Sequence, residues 1–459
     1  VIDIIKGLVI FAAYFGAAPV WGIIISKNRL LEDATFYGFI FLMGLHIDTT
    51  VLMLGSIEWY RGVTKGYEFS MIDVAAISLV VCALMDKGRR FHWCPPGTLL
   101  WMLYVFICSL SIFTALQMDY VVMNILKFSK AWILVYATMN YLRSEREVRI
   151  LLDAISVMII YQCFIVVKMK YIDGFYQVRG LFEHQNPLSM YTYMAVLPLL
   201  AACLSNRLSY LRSLVYLAGF GAGAVIILSA LSRAALALFA VGAVLVVGCG
   251  IVLKPSVKRL GVAGLGALGA AVMLAATLDT IVSRFNDEGN EASGETREVM
   301  NLASVAMADD KFLGVGWNNF GKGINHPYPY GDVIDDWNRD RGQKVDEDYA
   351  KGVVESIYYL HLGENGYPGL IILLIVMGMQ LFRAGWLILW KRKHFAGDLA
   401  IGIFSALLVT AAHLQLERVL TQTKNLALWM VMFGLIGALW RSGSWESEEL
   451  ADGKGPDTK

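Results

Sequence analysis

The sequence predicts an all-α polytopic membrane protein, and three observations carry that prediction. The first is the balance of residue types. Of 459 residues, 57% are hydrophobic and 17% charged, and the mean hydropathy is +0.56. Soluble domains sit near about 45–50% apolar and about 25% charged. The second is that the apolar excess falls into separate runs of about 18–23 residues, each long enough to cross roughly 30 Å of hydrocarbon. The third is that these runs are continuous rather than alternating, which argues against a transmembrane β-barrel. The net charge of +1 gives no basic footprint for a nucleic-acid partner.

Taken in order, the runs place spans at 4–26, 35–56, 70–86, 97–117, 119–141, 148–170, 187–205, 210–230, 233–253, 260–281, 366–390, 398–416 and 424–440. This amounts to about 12–13 transmembrane helices. The chain divides into N-terminal helices (1–170), helices carrying polar motifs at one face (171–281), a large polar insert with short helices (282–365), C-terminal helices (366–440) and a polar tail (441–459). The tail composition is that of a disordered segment. Six cysteines, Cys82, Cys94, Cys108, Cys163, Cys203 and Cys249, avoid the insert and show no CxxC spacing. Neither a disulfide framework nor a zinc site is expected.

Short basic loops set the orientation. DKGRR at 86–90, RSEREVR at 143–149, KPSVKR at 254–259 and WKRK at 390–393 fall on one side, which the positive-inside rule makes cytoplasmic. The segments 171–186, 231–233 and 282–355 then face outward. The same count places Val1 outside, which an upstream helix or one miscounted early span would resolve. No inverted pair of broken helices of the transporter kind is visible.

Three outward pieces carry the polar residues. In YQVRGLFEHQNPLSMY, Arg179 adjoins Gly180, and Asn186 before Pro187 reads as a cap on the next helix. In LSALSRAALALF, Ser232 and Arg233 sit between two apolar runs with almost no loop. Both arginines also suit a simple role at the lipid boundary, reaching headgroups. The insert opens with TREVMNLASVAMADDKFLGVGWNNF. Arg297 begins an amphipathic helix that runs to about Met307. The insert continues through a loop rich in Asp, Pro, Tyr and Gly, of a composition suited to carbohydrate or simply to water. It closes with VVESIYYLHLGENGYPGLI, where Gly366 and Pro368 break a short helix. Glu355, Tyr358 and Leu362 are spaced for one face of that helix.

Together these pieces resemble the O-antigen ligase and polymerase family of integral membrane glycosyltransferases, over roughly residues 170–370. The motifs are Arg179 with Gly180, Phe182 and Asn186; the Ser232–Arg233 pair; Arg297 leading a helix that ends in Gly314, Gly316, Asn319 and Phe320; and Glu364 with Gly366. The family usually has a His-Asn pair nine residues before that Glu. Here Glu355–Ser356 stands in its place, with His361 six residues further along.

The resemblance implies an enzyme of the bacterial inner (cytoplasmic) membrane with its site on the periplasmic face. Its donor would be an undecaprenyl-diphosphate-linked glycan. Its acceptor would be a growing glycan (polymerase, the reading favoured here), or lipid A core or a protein (ligase). Membrane lipid is its solvent, and no cofactor or metal is expected. Arginines suit bidentate contact with diphosphate oxygens, and Arg179, Arg233 and Arg297 are the candidates. Lys127 and Lys130, one turn apart inside a span, either join them or pair with a carboxylate such as Asp48. Glu355 is the first candidate for general base and His361 the second. Asn186, Ser232, Asn319 and Glu364 would support the site. His46 and Asp48, and His413 with Glu417, are further polar groups within or beside spans. A transporter of lipid-linked glycans that does no chemistry is the alternative from another class; the long insert argues against it.

Overall fold

The computed structural model describes residues 2–45, 50–88, 90–264, 266–269, 271, 289–342 and 351–441. Fourteen helices carry most of it. They are α1 (Ile2–Ile25), α2 (Arg29–Leu42), α3 (Met71–Met85), α4 (Thr98–Ser109), α5 (Met118–Tyr141), α6 (Glu145–Val167), α7 (Gln185–Cys203), α8 (Tyr210–Ala230), α9 (Arg233–Leu253), α10 (Gly289–Asp310), α11 (Asp332–Asp340), α12 (Ile357–Trp390), α13 (Phe395–His413) and α14 (Thr423–Trp440). Among the described residues, eight helices are long and apolar enough to cross a membrane, and α3 and α4 are shorter apolar helices. The chain is thus a multi-pass helical membrane protein. The span expected at 260–281 lies mostly outside the described residues, as do His46 and Asp48.

The second expected span, 35–56, is not one helix. α2 ends at Leu42, and Val51–Leu54 (β1) pairs antiparallel with Tyr67–Ser70 (β2). Apolar content alone could not separate a helix end from a strand here, because VLML suits either. Ser70 then closes a capping box with Asp73, which starts α3.

The bundle is built around α7, α13 and α14, whose side chains are buried along most of their length. Glycines let these helices approach closely: a Cβ on Gly402 would stand 2.6 Å from the Leu197 carbonyl oxygen. α9 and α1 lie at the margin, with few of their side chains buried. The two ends of the bundle differ. At one end lie basic connections: Arg143, Arg146 and Arg149 before and within α6, Arg207 after α7, and Lys391–Lys393 after α12. The other end carries a polar cap formed by α10, α11 and the turns between them. The cap has its own core, in which Val299, Met300, Ala303 and Met307 of α10 pack with Val315, Phe320, Ile324 and Ile334.

Candidate functional site at the capped end

The cap is fastened to the bundle through the GVGWNNF turn. Val315 N–H donates to the Gly363 carbonyl at 2.9 Å and Gly316 N–H to the Glu364 carbonyl at 3.0 Å. Those carbonyls are free because α12 is interrupted at Gly366 (φ 63°, ψ −168°), the break that the Gly366–Pro368 pair predicts. Glu364 is buried, and its side chain accepts the Phe320 N–H at 3.2 Å. Asn319 is buried and spans the turn before α5. Its Oδ1 accepts from Gln117 N–H at 2.8 Å, and its Nδ2 donates to the Gln117 carbonyl at 3.1 Å. Asn318, not singled out in the sequence, exchanges hydrogen bonds with the Thr64 backbone. Glu364 and Asn319 thus hold the cap in place.

The fastened cap sets Arg297 over the end of the bundle. Arg297 lies within α10, two turns past its start at Gly289, rather than opening it. Its Nε donates to the Glu355 carboxylate, and its Nη2 stands 3.9 Å from Glu417. Glu355 lies just ahead of α12, whose N-cap is Ser356, so it is not on a helical face with Tyr358 and Leu362. Glu417 comes from the connection between α13 and α14 and accepts a hydrogen bond from Asn186 Nδ2 at the start of α7. Arg418 follows, tied by its Nη1 to the Val353 carbonyl at 2.9 Å. Four chain segments, distant in sequence, therefore converge on one charged cluster.

The cluster is partly open. The Arg297 and Glu355 side chains are 38% and 43% exposed, while that of Glu417 is 10% exposed. Burial, reinforced by the Glu355 charge, pushes the Glu417 carboxyl up to about 7, against the pull of Arg297, Arg418 and Asn186. His184 stands at the same edge. Partial burial pulls its imidazole below the usual range, while Glu355 pulls it up. His184, not Asn186, caps α7: its ring nitrogen accepts from Asn186 N–H.

Other candidates lie elsewhere or stand apart. Arg179 is exposed on the connection before α7, with no ion-pair partner among the described residues. Ser232 and Arg233 start α9 at the same end, after a left-handed Leu231 that ends α8. Lys127 and Lys130 pair with carboxylates that are not part of the cluster. Lys127 pairs with Glu68 at 3.1 Å and Lys130 with Asp73 at 2.5 Å. They have the carboxylate partners that their depth demands, on β2 and α3.

His361 is buried on α12. Its Nδ1 donates to the Ile357 carbonyl at 3.2 Å, so Nε2 accepts from Tyr104 Oη at 2.7 Å. Both ring nitrogens are engaged inside the core. His413 does not pair with Glu417: its Nδ1 meets Tyr193 Oη at 2.9 Å. Among the described residues, no group of three His, Cys, Asp or Glu side chains is placed to hold a metal ion.

The missed members, Arg418 and His184, carry a faint signal. Both adjoin residues already singled out, in the strings LER at 416–418 and EHQN at 183–186.

Chemically, the cluster offers guanidinium groups for a multiply charged anion and carboxylates that can accept a hydroxyl proton. The chain matches no protein-family model and no curated protein.

Proposed function

We propose that this protein is a membrane glycosyltransferase that moves a glycan from a lipid diphosphate, of the undecaprenyl type, to an acceptor hydroxyl in surface-polysaccharide assembly. The observation that carries the reading is the partly open Arg297–Glu355 pair backed by buried Glu417. A donor diphosphate competes with Glu355 for the Arg297 guanidinium, which binds phosphate oxygens in the same two-point manner as a carboxylate. Glu355, released from its partner, accepts the proton of the acceptor hydroxyl. The acceptor oxygen bonds to the anomeric carbon as the bond from that carbon to the diphosphate breaks. The lipid diphosphate leaves with the electron pair, and Arg297 stabilises its growing charge. Arg179 and Arg233, at the same end, supply further contacts to the diphosphate.

The basic connections at the opposite end support a periplasmic position for the cluster. A product assay tests the reading. Purified protein in lipid receives lipid-diphosphate-linked repeat units, and products are sized by gel and mass spectrometry. Longer glycans on lipid diphosphate identify a polymerase. Transfer that requires added lipid A core or a protein acceptor identifies a ligase. An intact donor under every acceptor rejects the reading and favours transport.

A further inference from the structure

A second polar site lies at the end of the bundle opposite Arg297. Three connections meet there: the turn after α7, the segment after α9 and the turn between α12 and α13. They line an open cavity of about 360 Å³ bordered by Arg207, Lys254, Arg259, Arg392 and Lys393, with Asp398 as the one carboxylate among its lining residues. The volume is ample for a phosphate group and its first oxygen substituents.

The charges in this cavity do not cancel. Asp398 is already satisfied three times: by Lys254 Nζ at 2.7 Å, by Arg259 Nη2 at 2.8 Å and by Ser205 Oγ at 2.8 Å. It forms the floor with Arg259, which is 1% exposed and fixed by the Leu204 and Lys254 carbonyls at 3.1 and 3.0 Å. The rim is different. Arg207 donates to the Lys393 carbonyl at 2.6 Å, and Arg392 Nη2 to the Leu253 carbonyl at 2.5 Å. Carbonyls hold these guanidinium groups in position but supply no counter-charge. Arg207, Arg392 and Lys393 have no carboxylate partner among the described residues. Two positioned guanidinium groups, with the exposed Lys393 ammonium beside them, specify an anion at this cavity, and the guanidinium forks specify phosphate over a compact halide.

The surroundings indicate where that phosphate comes from. Trp386, Leu389 and Trp390 are exposed on the last turns of α12, immediately before the basic rim, and Val252 and Val257 flank the rim from the other side. Exposed Trp at the edge of an apolar belt marks the headgroup level of a bilayer. We propose that the cavity binds a phosphate-bearing anion, with the headgroup of an acidic phospholipid as the source its surroundings favour. This site is separate from the Arg297 cluster, and it stands whether or not the transferase reading does.

The test uses the full-length protein in phosphatidylcholine nanodiscs, with thermal unfolding and native mass spectrometry as readouts. Phosphatidylglycerol and inorganic phosphate are titrated in separate arms. Phosphatidylglycerol should raise the Tm and remain bound in the mass spectrum. The Arg392→Gln/Lys393→Gln double variant should need roughly thirtyfold more of it, while its Tm in pure phosphatidylcholine stays unchanged. If inorganic phosphate alone reproduces a shift that the double variant loses, the phosphate site stands with a soluble source. If the double variant responds to phosphatidylglycerol as the unsubstituted protein does, or phosphatidylcholine binds equally well, the proposal is overturned. Should the double variant unfold early, Lys393→Gln alone, at an exposed position, carries the same comparison.

Discussion

Arg297 donates from its Nε to Glu355, 58 residues further along the chain, and its Nη2 stands 3.9 Å from Glu417. One guanidinium therefore joins α10 of the cap to two connections of the bundle. Both members of the Arg297–Glu355 pair are more than a third exposed, so the pair contributes little to stability, about 0–1 kcal/mol. Arg297→Ala should leave the Tm nearly unchanged and lower glycan transfer by at least about a hundredfold. Unaltered transfer in this variant would remove Arg297 from the site.

A charge swap separates catalysis from pairing. Arg297→Glu combined with Glu355→Arg keeps an ion pair between α10 and the segment before α12, so the fold should survive. Transfer should not survive, because the cation and the proposed base have exchanged places. Glu355→Gln alone should also be inactive. Recovery of transfer in the swapped protein would mean that the pair only fastens the cap.

Glu417 gives a pH dependence with a definite sign. Burial raises its carboxyl in the folded protein from the ordinary 4.5 to about 7. Between these values the folded protein binds more protons than the unfolded chain. Stability contributed by this group is therefore present below about pH 4.5 and is lost as pH rises through about 7. The Tm difference between the protein and Glu417→Gln should shift against the unsubstituted protein across that window and flatten above it. Parallel pH curves for the two would contradict the assignment.

Gly366 should tolerate no side chain. Its φ of 63° lies in the left-handed region, and an added Cβ would stand 1.9 Å from the Phe312 carbonyl oxygen. Gly366→Ala should lower the Tm by more than backbone strain alone, which costs about 1–3 kcal/mol. The loss should appear as early proteolysis in the cap, since Val315 and Gly316 dock on the Gly363 and Glu364 carbonyls that the Gly366 break leaves free.

The lysines of α5 test the membrane interior. Lys127→Met strands Glu68, at 5% side-chain exposure, and should cost about 3–5 kcal/mol. The Lys127→Met/Glu68→Gln double variant should recover much of that. A small effect of the single substitution would show that water reaches the pair.

The helical membrane class was legible from composition and run length, because a bilayer allows few other solutions. The helix through Arg297 and the break at Gly366 were also readable, since each rests on local spacing or on Gly and Pro, but the buried face of α10 was not: Leu302 is exposed, and Val299, Met300, Ala303 and Met307 face the cap core. The β1–β2 hairpin was not, because a short apolar run suits strand and helix alike. Eight long apolar helices stand among the described residues where the runs predicted about 12–13.

The cluster was legible only in parts. Arg297, Glu355 and Asn186 could be named from the sequence, but their meeting depends on a cap whose docking rests on backbone carbonyls of Gly363 and Glu364. No residue pattern announces a carbonyl. For the same reason, His361 reads as a base in the sequence and stands in the structure as a core histidine held by Tyr104.

The most direct measurement is release of the leaving group. Purified protein in lipid receives a radiolabelled glycan on undecaprenyl diphosphate, together with an acceptor glycan or lipid A core, and free lipid diphosphate is quantified over time. Release that accompanies glycan transfer in the unsubstituted protein, and fails in folded Arg297→Ala and Glu355→Gln, is the predicted result. An intact donor in the unsubstituted protein with every acceptor, or equal release in the two variants, would contradict the account.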